Sequence, residues 1–268
     1  MIGNSYCLAA TIMSRLLILF ILTIIISCYW DDKKETLLAT NDGIRPDSLK
    51  TVSDIAPPQG YQRTILSENS FGTWLRNIRL KADDHVYLYN GALKKNQAAQ
   101  FAVLDIPVGK KDLQQCADAL MRMRAEYLFS QKKYSEIEFR DNADKCYKWT
   151  GGDNKNKFEK YLEKIFGMCG SASLGKQLKP VASLAEMQPG DIFIKGGFPG
   201  HAMIVTDVAM NDNGEKIFML AQSYMPAQDI HIVKNPLRED ISPWYKVHDE
   251  LRIVTPEWTF LRSQLKKW

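Results

Sequence analysis

The first strong hydrophobic signal is Leu16 to Ile26, an apolar run broken only by Thr23, preceded by Met13, Ser14 and Arg15 and followed by Ser27 and Cys28. It has the length of a signal-peptide core and falls short of the about 20 apolar residues that span a bilayer. From Tyr29 to Pro58 the chain turns polar, with Asp31, Asp32, Lys33, Lys34 and Glu35 in succession and a closing Pro57-Pro58, which predicts a flexible tether. Ser70 ahead of Phe71, Trp74, Leu75 and Ile78 predicts a capped amphipathic helix. Val86 to Tyr89 followed by Asn90-Gly91 predicts a hairpin with a type I′ turn, and Phe101 to Val108 a strand. The stripe Leu113, Cys116, Ala117, Leu120, Met123 and Tyr127 predicts a helix that begins near Asp112, with Gln115 completing a capping-box pattern.

In the C-terminal half, Pro189-Gly190-Asp191 marks a turn, Ile192 to Lys195 a strand, Gly196 to Gly200 a tight loop and His201 to Val208 a second strand. Asn213-Gly214 reverses the chain into Lys216 to Gln222, and Ile230 to Val233 is a further strand. The expected fold class is α+β, an antiparallel β-meander packed against the helix that carries Cys116. The expected organisation is a lipoprotein-type signal peptide over 1–27, starting at Met1 or Met13, a tether over 28–58 and a single domain over 59–268.

Ile25-Ile26-Ser27-Cys28 resembles a bacterial lipobox, in which a small residue precedes the cysteine that is acylated and becomes the mature N-terminus. Cys28 is therefore the expected lipid anchor; the alternative is an uncleaved membrane anchor. Both put the remainder outside the cytoplasm; the lipoprotein reading places it in the cell envelope, on the periplasmic or surface face, with the membrane as a partner through the N-terminal lipid.

Composition narrows the function classes. Over 268 residues the chain has 45% hydrophobic and 25% charged residues, which excludes collagen-like and wholly disordered readings. A net charge of +4, without an aromatic RNA-binding motif, argues against nucleic acid. Beyond Cys7 and Cys28, three cysteines remain: Cys116, Cys146 and Cys169. In an oxidising compartment three means one disulfide and a free thiol, or three reduced thiols. Cys146 and Cys169 are the natural pair if Cys116 has another role. His231 and His248 show no metal-ligand spacing with the other histidines, so no metal and no cofactor is expected.

The candidate chemistry lies at Cys116, His201 and Gln222. A thiol in a first helical turn gains from the free amides and partial positive charge there, which favour the thiolate; the competing reading is a small buried hydrophobe in an apolar stripe. His201 opens its strand beside a glycine loop, where a general base has room for substrate, or is a hydrogen-bonded histidine at the rim of a core. With Met203 opposite Gln222, the side chain of Gln222 reaches His201 on one face; one residue of slip turns it away.

Gly190-Asp191-Ile192-Phe193-Ile194 and Gly200-His201-Ala202-Met203-Ile204-Val205, following a Cys at the start of a helix, resemble the NlpC-type, papain-like cysteine peptidase superfamily of cell-wall amidases and endopeptidases. That superfamily usually has Asp directly before its Cys, where this chain has Gln115. The resemblance implies Cys116 as nucleophile, His201 as base and Gln222 as the residue that orients His201, acting on peptide or amide bonds such as those of cell-wall fragments. Asp112-Leu113-Gln114-Gln115-Cys116-Ala117-Asp118-Ala119 and Gly200-His201-Ala202, within a chain similar from about Tyr61 to Trp268, also resemble the domain of unknown function 4846 of envelope lipoproteins, which implies no activity. The expected function is a lipid-anchored cysteine hydrolase. The alternatives are an inactive ligand- or partner-binding lipoprotein on the same fold, and a chain whose Cys116 is held in a disulfide.

Overall fold

The computed structural model describes residues 49–247 and 251–268, which belong to one compact unit. The expected signal peptide, Cys28, His248 and most of the expected tether lie outside them. The elements run β1 (Tyr61–Arg63), α1 (Phe71–Arg76), β2 (Gln100–Val103), α2 (Cys116–Ser130), β3 (Glu138–Arg140), β4 (Cys146–Lys148), α3 (Lys155–Met168) and α4 (Ser171–Gln177). They continue with β5 (Lys179–Pro180), β6 (Ile192–Lys195), β7 (His201–Asn211), β8 (Lys216–Gln222), β9 (His231–Val233), β10 (Trp244–Lys246), β11 (Arg252–Val254), β12 (Thr259–Leu261) and β13 (Leu265–Lys267).

The meander forms as expected. β6, β7 and β8 are consecutive antiparallel neighbours at the centre of a sheet ordered β2-β9-β8-β7-β6-β13-β5, with β1 added to β7 and β10 to β8. Two ribbons, β3–β4 and β11–β12, stand apart from it. Both faces of the sheet are covered, so His201 to Ala209 of β7 are all buried. Ala202 and Ile204 join the core under α2, and Met203 and Val205 a second core with Phe193, Phe218 and Phe260. α2 is held to the sheet by Leu120, Met121 and Met123, fully buried, each worth about 1.5–3 kcal/mol.

Several boundaries differ from expectation. The fold begins inside the expected tether: Leu49, Val52 and Ile55 are buried in the main core, and Trp244 Nε1 donates to the Ala56 carbonyl at 3.0 Å. Apolar residues spaced three apart, among polar neighbours, make too weak a pattern to mark this short segment. The Asn90-Gly91 turn closes through Gly91 N to Leu88 O at 2.9 Å and Leu88 N to Ala92 O at 2.7 Å. Only Gly91 of the pair has positive φ, so this is a three-residue loop rather than the type I′ turn. α2 begins at Cys116, not near Asp112, because its cap lies one turn later. Asp118 Oδ2 accepts from Gln115 N at 3.1 Å, while Asp112 accepts from Ala227 N at 2.7 Å. The helix ends before Lys132, whose φ of 56° leaves the helical region.

Among the described residues no helix is long and apolar enough to cross a membrane.

Candidate functional site

The corrected start of α2 makes Cys116 its first helical residue. The amides of the first turn have no intrahelical acceptor, and the backbone N–H groups of Cys116 and Ala117, with that of Ala202 on β7, act on the sulfur. His201 opens β7 after the loop Gly196–Gly200. Gly197 there has a φ of +111°, and a side chain on Gly200 would collide with the Gly197 carbonyl and the Ser171 hydroxyl, so glycine is required to bring the loop against α4. Cys116, Asp118, Cys169, Phe198, His201, Tyr224, Met225 and Trp258 are among the residues that line one cleft.

Gln222 reaches His201 as the meander register requires. Ile204 pairs with Ala221 and Val205 with Leu220, and His201 Nε2 lies 2.8 Å from Gln222 Oε1. The one-residue irregularity between Val205 and Asp207 makes this register: nearer the turn Met210 pairs with Lys216, and without the shift Gln222 would lie opposite Ile204, on the face away from His201. The other end of Gln222 is also engaged: its Nε2 donates to Glu257 Oε2 at 2.8 Å and lies 3.2 Å from His231 Nε2. His231 Nδ1 lies 2.9 Å from the Asp229 carbonyl, so Nδ1 carries a proton and Nε2 is the acceptor. One proton arrangement satisfies this chain: Gln222 Oε1 accepts from His201 Nε2–H, which leaves His201 Nδ1 with a free lone pair.

The His201 ring is enclosed by aromatics, with centroids 4.7 Å from Tyr224, 5.2 Å from Trp258 and 5.9 Å from Phe260. Burial pushes its pKa down to about 4, against the pull of the Gln222 bond and the Glu257 charge. Burial likewise pushes the Cys116 thiol up to about 11, reinforced by the Asp118 carboxyl and opposed by the backbone amides. The expected thiolate-favouring helix start is therefore overridden, because the residue is 8% exposed and desolvation penalises the anion more than the first-turn amides favour it. At neutral pH the resting pair is a thiol and a neutral imidazole; both line the cleft, and the hydrogen bond on the His201 ring goes to Gln222, not to Cys116.

The sequence pattern described as Domain of unknown function (4846) matches residues 52–152 and 141–267. The chain belongs to that family. No curated protein matches the chain, and no solved structure does.

In this family member the three cysteines of the fold are free thiols. Cys146 and Cys169 are thus unbridged, and Cys116 is outside any disulfide. Cys146 Sγ faces Glu138 Oε2 at 3.9 Å, and Cys169 follows α3 at the cleft wall; the two thiols lie near enough for Cys146 to act electrostatically on Cys169, and both act on Tyr161. Asp83, Asp84 and His85 are close enough to share an ion but are exposed, and His85 is bonded to Asp83 at 2.6 Å.

Sequence reasoning missed Glu257, Trp258, Tyr224, Asp118 and the role of His231. Asp118 had a legible signal, since it stands three residues after Gln115 in a competing capping pattern. Glu257 and Trp258 sit in the tight turn Thr255–Trp258, closed by Thr255 N to Trp258 O at 2.8 Å, between two three-residue strands whose place in the fold no local pattern gives.

Proposed function

We propose that this chain is a lipid-anchored cell-envelope cysteine hydrolase of amide or peptide bonds, on a papain-like, NlpC-like arrangement of helix and meander. The observation that carries the reading is the proton order at His201. Its Nε2–H is spent on Gln222, which leaves Nδ1 as a base on the cleft shared with Cys116.

In the reaction His201 Nδ1 takes the Cys116 proton as the sulfur attacks the substrate carbonyl carbon. The oxyanion that forms is stabilised by first-turn amides such as that of Cys116. His201 then returns the proton to the leaving amine, and water, activated by the same nitrogen, hydrolyses the thioester. Gln222 holds the imidazole in one tautomer throughout, and supplies less stabilisation to the imidazolium than a carboxylate does. Substrates such as cell-wall peptides suit an envelope location, with the membrane reached through Cys28.

A second reading has an observation in its favour. The raised thiol and lowered imidazole also suit a catalytically silent protein that binds a ligand or partner in the cleft.

The test is to incubate the full chain with cell-wall muropeptides and a panel of peptide amides, and separately with a peptide vinyl sulfone, reading products and adducts by mass spectrometry. The hydrolase reading expects amine release, lost in Cys116→Ala and His201→Ala, and an adduct on Cys116 alone. Absence of both turnover and adduct leaves the binding reading standing.

A further inference from the structure

We propose that Glu257 is a positioning residue for the His201 imidazole: by accepting from the Gln222 amide nitrogen, it fixes which way that amide faces and so which imidazole nitrogen carries the proton. The mechanistic value of this role rests on the reading of His201 as base, but the role itself is a matter of hydrogen-bond direction.

A glutamine side chain has two orientations of nearly equal shape, and its neighbours choose between them. On the nitrogen side Gln222 meets two acceptors, Glu257 Oε2 at 2.8 Å and His231 Nε2 at 3.2 Å. Rotating the amide by half a turn would set its oxygen against a carboxylate and an imidazole lone pair. It would also point NH2 at His201 Nε2, which would have to become an acceptor. The proton would then sit on Nδ1, the nitrogen that has to receive one from Cys116. The His231 contact is the longer of the two, so the carboxylate is the stronger selector.

Glu257 is itself pinned. Lys94 Nζ lies 2.6 Å from Oε2 and Asn96 Nδ2 donates to Oε1 at 3.1 Å. The Lys94 and Glu257 side chains are 7% and 16% exposed, and both carboxylate oxygens accept, Oε2 from Gln222 and Lys94 and Oε1 from Asn96. The same turn sets Trp258 against the His201 ring, so one hairpin tip delivers the acceptor and the cover.

A purely structural role, neutralising Lys94, predicts no effect on the His201 tautomer. The ionisable groups around the ring are Cys116 from α2, Lys195 opposite it on β6, Tyr224 after β8, and Glu257, Lys94 and His231 behind Gln222. Of these, Glu257 and His231 touch Gln222.

The experiment uses the full chain with 15N-labelled histidine. Long-range nitrogen–proton correlations at pH 7 read the His201 tautomer, and the iodoacetamide rate at Cys116 is followed in parallel. Wild type should show Nε2–H. Glu257→Gln should show loss of that tautomer in part or whole and about tenfold slower alkylation, with Glu257→Asp restoring both in part. A His201 that stays wholly Nε2–H in Glu257→Gln overturns the proposal. If Glu257→Gln does not fold, Glu257→Asp decides: its shorter side chain draws the carboxylate back from the Gln222 amide, so the Nε2–H signal should fall in part, and a His201 that stays wholly Nε2–H in that variant overturns the proposal. If the tautomer moves in Glu257→Gln but alkylation is indifferent both to it and to His201→Ala, the hydrolase reading fails and the positioning role stands.

Discussion

His231 offers a quantitative test of the polar chain behind Gln222, because the ring is fully buried and both nitrogens are spoken for, by Asp229 O and by the Gln222 amide. Burial pushes its pKa down to about 3, against about 6.5 in an unfolded chain. The folded protein therefore keeps His231 neutral where the unfolded chain takes up a proton. The stability that this neutral ring contributes is fully present above about pH 6.5 and is lost as pH falls toward 3. Each pH unit well inside that window is worth about 1.4 kcal/mol, and because the slope is only half developed at pH 6.5, wild type should lose about 3 kcal/mol more between pH 6.5 and 4 than a variant without the titration. Urea unfolding of wild type and His231→Gln at pH 7, 6, 5 and 4 measures it as a widening difference. His201, lowered to about 4, and Asp191, raised by burial to about 6, titrate in the same range with opposite signs. Asp191 is common to the two proteins and drops out of the difference, whereas His201 is joined to His231 through Gln222, so its own titration is followed in both proteins and subtracted. If the two curves run parallel to within about 0.5 kcal/mol, His231 titrates normally in the folded state and the buried, one-directional proton order is wrong.

Three further outcomes follow from other parts of the molecule. Asp207 is fully buried and accepts from Arg63 Nε and Arg76 Nε at 2.6 Å each; Asp207→Ala strands both guanidiniums and should cost about 3–5 kcal/mol in urea unfolding, and a loss under about 1 kcal/mol would show that water replaces the carboxylate freely. Alkylation in denaturant without reductant should place adducts on all of Cys116, Cys146 and Cys169, since each is a free thiol; a linked Cys146–Cys169 peptide would contradict the structure. Metabolic labelling with a fatty-acid analogue should mark wild type and miss Cys28→Ala, as the Ile25-Ile26-Ser27-Cys28 sequence implies; equal labelling of both would remove the anchor.

The parts of the fold that could be read in advance are those whose pattern is local. β6 and β8 start just after the turns at Gly190-Asp191 and Asn213-Gly214. The second turn by itself sets Met210 opposite Lys216 and would leave Gln222 opposite Ile204, on the face away from His201; the one-residue bulge between Val205 and Asp207, which no local pattern marks, brings Gln222 to His201. Where two local signals compete, the reading slips: Asp112 and Asp118 both offer a carboxylate to a helix start, and the structure uses Asp118. At Cys116 the sequence signal and the structure part for a different reason. The helix start is visible in sequence, but the desolvation that outweighs it comes from elements packed around the cleft. Glu257 and Trp258 were invisible because their roles depend wholly on where the β11–β12 ribbon docks.

That docking has a consequence for the order in which the protein comes into being. Cys116 belongs to a helix made before the strand that carries His201, and the carboxylate and indole behind that histidine belong to a ribbon made later than both, followed by β13, which inserts between β6 and β5. Contacts of such long sequence separation close slowly and only when both ends are present. A chain still emerging from a ribosome thus carries the Cys116 thiol without His201 or its cover. Whatever chemistry the cleft performs is withheld until β13 is seated.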